Sequence, residues 1–290
     1  MYEDSPSSRL YESMMASLYV NHGIRTNICG SVASIAEITP ELLLRCHRAF
    51  YRPENMVLIV VGDITTEAVL ALLEDNLPSF EPAPTVHRVY PEEPDVLFGK
   101  KAEFHMDISR PKVCLGIKDT VLPKTAKLRE RRALAANLLC DLYFGESTPF
   151  YERLYREGVI SRDFSAYYES ITGCAHLLFS GATDDPERLI TELRNELRRI
   201  AADPVAEEAD FIRIRNVHYA EFVKDFDSTE DIACALLDAV LDGTELFDTG
   251  EELCSLTLSE IRTLAKELLG DEEKMATSVI LPMKGDTDHA

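Results

Sequence analysis

The stretch that decides the fold runs from Ile38 to Asp63 and reads ITPELLLRCHRAFYRPENMVLIVVGD. Thr39 is a favourable N-cap residue, and Pro40 takes the first helical position, where its missing N–H group costs nothing. Apolar residues then recur at helical spacing until Pro53 ends the pattern. Residues 56–61 form an unbroken, largely β-branched apolar run, which is typical of a strand buried on both faces. The stretch therefore predicts a helix, a tight turn and a buried strand.

The same arrangement recurs near the C-terminus. Thr257 precedes a second amphipathic helical pattern, and after a short break Met275 begins a second predicted strand. Thr39 and Thr257 are 218 residues apart, and Met56 and Met275 are 219 residues apart, so one short insertion aligns helix with helix and strand with strand. This period is too long for a solenoid and indicates a duplicated domain. Chance recurrence of a common α/β unit is the alternative.

Composition narrows the functional classes. A chain of 290 residues with 46% hydrophobic content can fill a substantial core. Its formal charge of −21 argues against a sequence-independent hold on nucleic acid or on an anionic membrane surface. The acidity favours either basic peptide partners or simply a well-solvated surface. Seven cysteines without a Cys-x-x-Cys pair predict reduced thiols in a cytoplasmic protein, and no apolar run reaches the length of a membrane span.

A proline-rich stretch divides the chain. Five prolines between residues 78 and 94 are typical of a stiff, extended linker. We therefore expect residues 1–80 to be the end of a first domain, 81–100 to be the linker and 101–290 to be a complete second domain. Strand pairs that alternate with helices predict an α+β fold, in which helices cover a sheet. Because the offset places the start of the first copy before Met1, the chain is expected to be the C-terminal part of a longer protein.

Signatures of chemistry are scarce. The sequence has neither His-x-x-Glu-His nor His-Glu-x-x-His, the patterns that place two imidazoles and a carboxylate on one helix face around zinc. His105 and His176 fall in predicted strands and are interpreted as structural, hydrogen-bonded histidines. Glycine-rich phosphate loops and Gly-x-Ser-x-Gly elbows are also missing from the sequence. We therefore predict that this chain holds no metal ligand and no catalytic residue.

Four runs of the sequence resemble the insulinase (pitrilysin) type zinc peptidases, a family that includes mitochondrial and bacterial processing peptidases. They are MYEDSPSSRLY at residues 1–11, NICGSVASI at 27–35, FYRPENMVLIVVGD at 50–63 and FGESTPFYERLY at 144–155. The resemblance covers nearly the whole chain and is strongest to bacterial processing-peptidase-like proteins associated with elongation factor P modification. It implies two homologous α+β domains that form half of a clam shell around a peptide or protein substrate. A homologous subunit or a second copy would complete the shell.

The resemblance also places the zinc ligands and the general-base glutamate upstream of Met1. It thus implies that this chain carries no cofactor, that zinc belongs to the full-length protein, and that the chain is inactive alone as the C-terminal portion of a zinc-dependent peptidase. The alternative is a non-catalytic scaffold that pairs with another subunit. Active relatives often carry an arginine and a tyrosine near the substrate in the second domain. The run at 153–161 matches that pattern imperfectly and leaves Arg153, Tyr155 and Arg156 as candidate substrate contacts, or else as ordinary helix-surface residues.

Overall fold

The computed structural model describes residues 4–77 and 86–283, and its centre is a five-stranded sheet in the order β1-β5-β2-β4-β3. The strands are β1 (Lys101–Met106), β2 (Lys112–Asp119), β3 (Ser165–Ile171), β4 (Cys174–Ala182) and β5 (Met275–Pro282). β1 lies parallel to β5, whereas the other neighbours are antiparallel. The predicted α+β class is confirmed. The last strand of the chain nevertheless separates β1 from β2, which follow each other in sequence.

Eleven α-helices lie in the described ranges. They are α1 (Pro6–Leu18), α2 (Val32–Ala36), α3 (Pro40–Phe50), α4 (Thr66–Asn76), α5 (Ala126–Phe144), α6 (Pro149–Arg156), α7 (Pro186–Ala202), α8 (Glu208–Lys224), α9 (Thr229–Asp242), α10 (Leu246–Ser255) and α11 (Leu258–Leu269). Thr39 and Thr257 cap their helices as expected. The Thr39 hydroxyl accepts the N–H of Leu42, and Thr257 forms a reciprocal capping box with Glu260.

The sheet is buried on both faces, because successive residues of a strand point to opposite sides. Val113, Leu115 and Ile117 of β2 belong to the larger core, which the helices after β2 cover. Cys114 belongs to a smaller core on the opposite face. There the apolar side of α1 covers the sheet with four buried side chains, those of Leu10, Met14, Met15 and Leu18. The helix nearest the N-terminus therefore packs on a sheet formed entirely by residues after position 100.

Gly116 allows this close approach of α1. A β-carbon at position 116 would lie 2.6 Å from Sδ of Met14 and 3.1 Å from side-chain carbons of Leu18 and Leu178. We expect Gly116→Ala to destabilise the chain by about 1–3 kcal/mol, because the helix or its side chains must move to admit the methyl group. Urea unfolding measures this loss. Gly99→Ala is the matched control, since a β-carbon there meets no heavy atom within 4 Å. Equal stability of the two variants would contradict the close-packing argument.

The predicted strand at residues 56–61 is wrong. No strand is formed there, and the apolar side chains are largely exposed, Leu58 by 60%. A strand needs a neighbour to accept and donate its backbone hydrogen bonds, and no described strand lies beside this run. The flanking helices α3 and α4 also bury no residue, although both have apolar side chains. The run has strand composition without a sheet to join.

The predicted linker is described only in part. Residues 78–85 lie outside the described ranges, and residues 86–100 contain no helix or strand. The division of the chain into residues 1–80, 81–100 and 101–290 stays a prediction.

Candidate functional site

The three candidate substrate contacts lie on α6. This helix begins where the Thr148 hydroxyl accepts the N–H of Tyr151, with Pro149 at its first position. Nη2 of Arg153 lies 2.9 Å from a carboxylate oxygen of Glu192 on α7, so Arg153 ties two helices together. This carboxylate raises the pKa of the guanidinium.

Arg156 is the most accessible of the three residues. The Tyr155 ring stacks on Tyr151 with 5.9 Å between the ring centroids, and the residue is 44% exposed. The Arg156 side chain is 81% exposed and lies 3.9 Å from a carboxylate oxygen of Glu152, one helical turn earlier. An ion pair this exposed contributes little to stability. Arg156 therefore has donors free to contact another molecule, whereas Arg153 is bound to Glu192 and the Tyr155 hydroxyl lies beside the Arg162 guanidinium.

The described residues do not fit a zinc ion. Across 4–77 and 86–283, no three His, Cys, Asp or Glu side chains lie close enough together to hold a metal. His22 lies against the carbonyl of Thr172, and His218 pairs with Asp141 at 2.6 Å. A zinc site needs three or four such ligands around one point. No catalytic step can be assigned to a metal held by these side chains.

A row of polar residues crosses the sheet on the side that α1 covers. Lys118 of β2 is directly opposite His176 of β4, and His176 is directly opposite Glu169 of β3. Two tyrosines of the α1 segment complete the row: Tyr11 donates to Glu169 at 3.0 Å, and the Tyr19 hydroxyl lies 2.9 Å from Nδ1 of His176. We call these five residues the polar row.

Hydrogen bonding fixes the orientation of the histidine. Nε2 of His176 is 3.1 Å from a carboxylate oxygen of Glu169, which can only accept, so Nε2 carries a proton. The Tyr19 hydroxyl lies beside Nδ1 and donates to the backbone carbonyl of Ala175 at 2.9 Å. The hydrogen bond from His176 holds the pKa of Glu169 below its usual value. The prediction that His176 is a structural histidine is confirmed, because it is fully buried with both ring nitrogens engaged.

Lys118 is a buried ammonium group with four neighbours. Its Nζ lies 2.5 Å from Oε1 of Glu93, 2.7 Å from the carbonyl of Pro94 and 3.0 Å from that of Val96. It also lies 5.0 Å from the centre of the Tyr19 ring. Burial of a charge is costly unless partners compensate for the lost water. The predicted linker supplies three of these partners.

Glu93 binds the end of α1 as well as Lys118. Its two carboxylate oxygens accept the successive backbone N–H groups of Val20, Asn21 and His22 at 2.7–2.8 Å. Burial alone would raise the pKa of Glu93. The hydrogen bonds from Lys118 and from the three N–H groups outweigh it and lower the pKa to about 2. We call this joint, formed by Glu93, Lys118 and residues 20–22, the Glu93 clip.

Asp119 is the corresponding buried charge on the opposite face of β2. Arg132 of α5 donates to both of its oxygens at 2.7 and 3.0 Å, and the Tyr168 hydroxyl donates at 2.7 Å. Arg132 also reaches Glu267 of α11 at 2.7 Å. Sequence reasoning missed both buried pairs. The one available signal was the adjacent Lys118 and Asp119 at the end of an otherwise apolar strand, which places opposite charges on opposite faces of the sheet.

Comparison with known proteins identifies the family. A model described as the peptidase M16 inactive domain matches residues 37–217. The zinc protease YmfH of Bacillus subtilis is 29% identical over 282 residues, and the zinc protease PqqE of Helicobacter pylori is 22% identical over 289 residues. The crystal structure of an M16-like peptidase from Alicyclobacillus acidocaldarius superposes with a TM-score of 0.88 at 27% identity, covering 97% of this chain and 67% of that one.

The two curated relatives are longer than the match. The match to YmfH covers 97% of this chain but 65% of YmfH, and the match to PqqE covers 96% of this chain but 63% of PqqE. Within the described residues, no helix is both long enough and apolar enough to cross a membrane. The family model covers more than half of the chain and spans both sides of the proline-rich stretch, which confirms the resemblance drawn from the four sequence runs. The chain belongs to the M16 family of peptidases, and it carries the inactive domain of that family.

Proposed function

We propose that this chain forms the non-catalytic wall of a peptide-enclosing chamber in an insulinase-type zinc peptidase, with the zinc ligands supplied by polypeptide outside the chain. The observation that carries the proposal is the match of residues 37–217 to the inactive domain of the family. The names of the curated relatives as zinc proteases also support it. The alternative, a scaffold that only pairs with another subunit, has no specific observation in its favour.

The structure suits a wall better than a catalytic centre. Lys118 and Asp119 are enclosed and paired with groups of opposite charge, and His176 and Tyr11 hold Glu169 by hydrogen bonds, so these residues serve to stabilise the sheet. Tyr155 and Arg156 are accessible, and we propose them as the residues of α6 that contact a peptide. A phenol can donate to a peptide carbonyl, and a guanidinium can bind a carboxylate at two points. Arg153 then serves to position α6 through Glu192.

Two finer proposals accompany this one. We propose a cytoplasmic location, which the seven free cysteines support because disulfides are rare in that compartment. Cell fractionation with an antibody against the chain tests it, and recovery from an oxidising compartment would overturn it. We also propose that a homologous subunit or a second copy completes the chamber, which sedimentation of the intact protein would test.

The chain alone is expected to bind no stoichiometric zinc and to show no chelator-sensitive cleavage of fluorogenic peptides. Co-expression with the part of YmfH that lies outside the match is expected to yield a zinc-containing complex that cleaves peptides. Metal analysis and peptide assays on both preparations measure this. One zinc per chain, together with chelator-sensitive cleavage by the chain alone, would contradict the proposal.

The α6 assignment is tested on the same complex. Tyr155→Phe and Arg156→Ala are expected to raise KM severalfold with little change in kcat, because they remove contacts made equally in the ground state and the transition state. Val205→Ala is the matched control, since Val205 is exposed and lies in the segment between α7 and α8. Unchanged KM in both α6 variants would assign these residues to the helix surface.

A further inference from the structure

The turn that follows α6 has a defined conformation. Residues 158–163 lead from α6 towards β3, and we call them the α6 turn. Gly158 begins the turn with a φ of +72°, a left-handed conformation that favours glycine, and its N–H donates to the carbonyl of Tyr155 at 3.0 Å. The next two residues, Val159 and Ile160, are buried in the larger core. The α6 turn therefore packs against the domain along its first half.

Arg110 binds the α6 turn from the segment between β1 and β2. Its guanidinium donates to both carboxylate oxygens of Asp184, at 2.8 and 3.2 Å. The same group donates to the Ser161 hydroxyl at 3.1 Å and to the carbonyl of Gly158 at 3.4 Å. A guanidinium can hold several acceptors in fixed directions because its N–H groups lie in one rigid plane. Arg110 thus joins the α6 turn to the residue that leads into α7.

Asp163 holds the other end of the α6 turn. Its carboxylate accepts the Ser161 hydroxyl at 2.6 Å and the N–H of Ala182, the last residue of β4, at 3.0 Å. The Ser161 hydroxyl therefore donates to Asp163 while it accepts from Arg110, and it links the two anchors. One anchor leads to α7 and the other leads to the sheet.

The α6 turn adjoins both residues that we propose as peptide contacts. Arg156 is the last residue of α6 and lies two positions before Gly158. Arg162, an exposed residue of the turn, has its guanidinium beside the Tyr155 hydroxyl. A displacement of the turn would therefore move the group beside the phenol and release the end of the helix that carries Arg156.

We propose that Arg110 is a positioning residue for peptide binding, which fixes the α6 turn and, through it, the side chains of Tyr155 and Arg156. Arg110 acts at a distance from the peptide, because its own N–H groups are engaged within the domain. This role rests on the proposed function, in which Tyr155 and Arg156 contact a peptide. Without the anchor, the two side chains would have to be ordered when the peptide binds, and the affinity would fall.

Hydrogen exchange of the chain alone measures whether Arg110 holds the α6 turn. Arg110→Lys keeps the charge but cannot reach acceptors on three residues at once. The amides of the α6 turn are expected to exchange about fivefold faster in this variant, because the turn opens locally while the core stays folded. Arg199→Lys is the matched control, since Arg199 also binds both oxygens of a carboxylate, that of Glu196 on its own helix. Equal exchange of the turn in Arg110→Lys and in the wild type would overturn the proposal.

Peptide cleavage by the zinc-containing complex measures the consequence for binding. Arg110→Lys is expected to raise KM about threefold with kcat nearly unchanged, because the contacts that it positions act equally in the ground state and the transition state. In a complex that already carries Tyr155→Phe and Arg156→Ala, the same substitution is expected to leave KM unchanged. A further rise in KM there would show that Arg110 acts elsewhere, and would overturn the proposal.

The two measurements separate this role from the proposed function. If Tyr155→Phe and Arg156→Ala raise KM and Arg110→Lys does not, the proposed function stands and Arg110 is not a positioning residue. If none of the three substitutions changes KM although the α6 turn exchanges faster in Arg110→Lys, the α6 contacts of the proposed function are refuted, and the role of Arg110 with them.

Discussion

Glu93→Ala is expected to lower the free energy of unfolding by about 3–5 kcal/mol, the largest effect of any single side chain in the predicted linker. The substitution leaves the Lys118 ammonium buried, with two backbone carbonyls but no opposite charge. It also leaves three N–H groups at the end of α1 without their acceptor. Urea unfolding at neutral pH measures the loss.

The neighbouring residue is the control. Glu92 is exposed, so Glu92→Ala removes the same charge from the same segment and is expected to change stability by less than about 0.5 kcal/mol. If the two variants unfold at the same urea concentration, Lys118 does not depend on Glu93.

The difference between wild type and Glu93→Ala should also depend on pH. The pKa of Glu93 is about 2 in the folded chain, below its usual value of 4.5, so the carboxylate stabilises the folded state above pH 4.5. That contribution is lost as pH falls from 4.5 towards 2. The unfolding curves of the two proteins are therefore expected to converge over this interval and to stay separate above it.

Arg132→Met is expected to lower the free energy of unfolding by a similar amount, about 3–5 kcal/mol, because it leaves a buried negative charge instead of a buried positive one. Here a carboxylate remains buried, because Asp119 is 4% exposed and keeps only the Tyr168 hydroxyl and the N–H of Val121. Arg129→Met is the control on the same helix. Arg129 reaches only two backbone carbonyls at 3.4 Å and should be replaced at little cost.

A double variant separates the two explanations of this loss. If the uncompensated carboxylate is the cause, Asp119→Leu combined with Arg132→Met should recover much of the stability, because a buried ion pair can be replaced by apolar residues with little loss. If the stability losses of Asp119→Leu and Arg132→Met simply add in the double variant, the effect would instead be assigned to packing around α5.

Local sequence patterns predicted the helices and strands of this fold better than they predicted which elements pack or pair with each other. The caps at Thr39 and Thr257 and the strand that starts at Met275 depend on a few adjacent residues, and the structure has all of them. The prediction of a strand at 56–61 failed because a strand needs a hydrogen-bonded partner strand, which its own residues do not specify. The insertion of β5 between β1 and β2 and the packing of α1 over both β2 and β5 are also long-range choices, which local patterns do not encode.

The candidate site follows the same division. Sequence placed Arg153, Tyr155 and Arg156 on one short helix, but could not tell that Glu192 engages Arg153 while Arg156 stays exposed. Glu93 was hidden for a different reason. The residues around Glu93 have the proline-rich, acidic composition of a linker. Composition does not reveal that the Glu93 carboxylate reaches a buried lysine on the sheet.

The Glu93 clip fastens three parts of the chain together: the end of α1, the segment after residue 86 and strand β2. A segment fastened at its middle cannot act as a free hinge, because swinging it away from α1 first requires the separation of a buried ion pair. Residues 4–22 and the sheet beyond residue 100 therefore move as one body. If this body forms the wall that we propose, we expect a peptide to enter where the body meets the polypeptide that faces it.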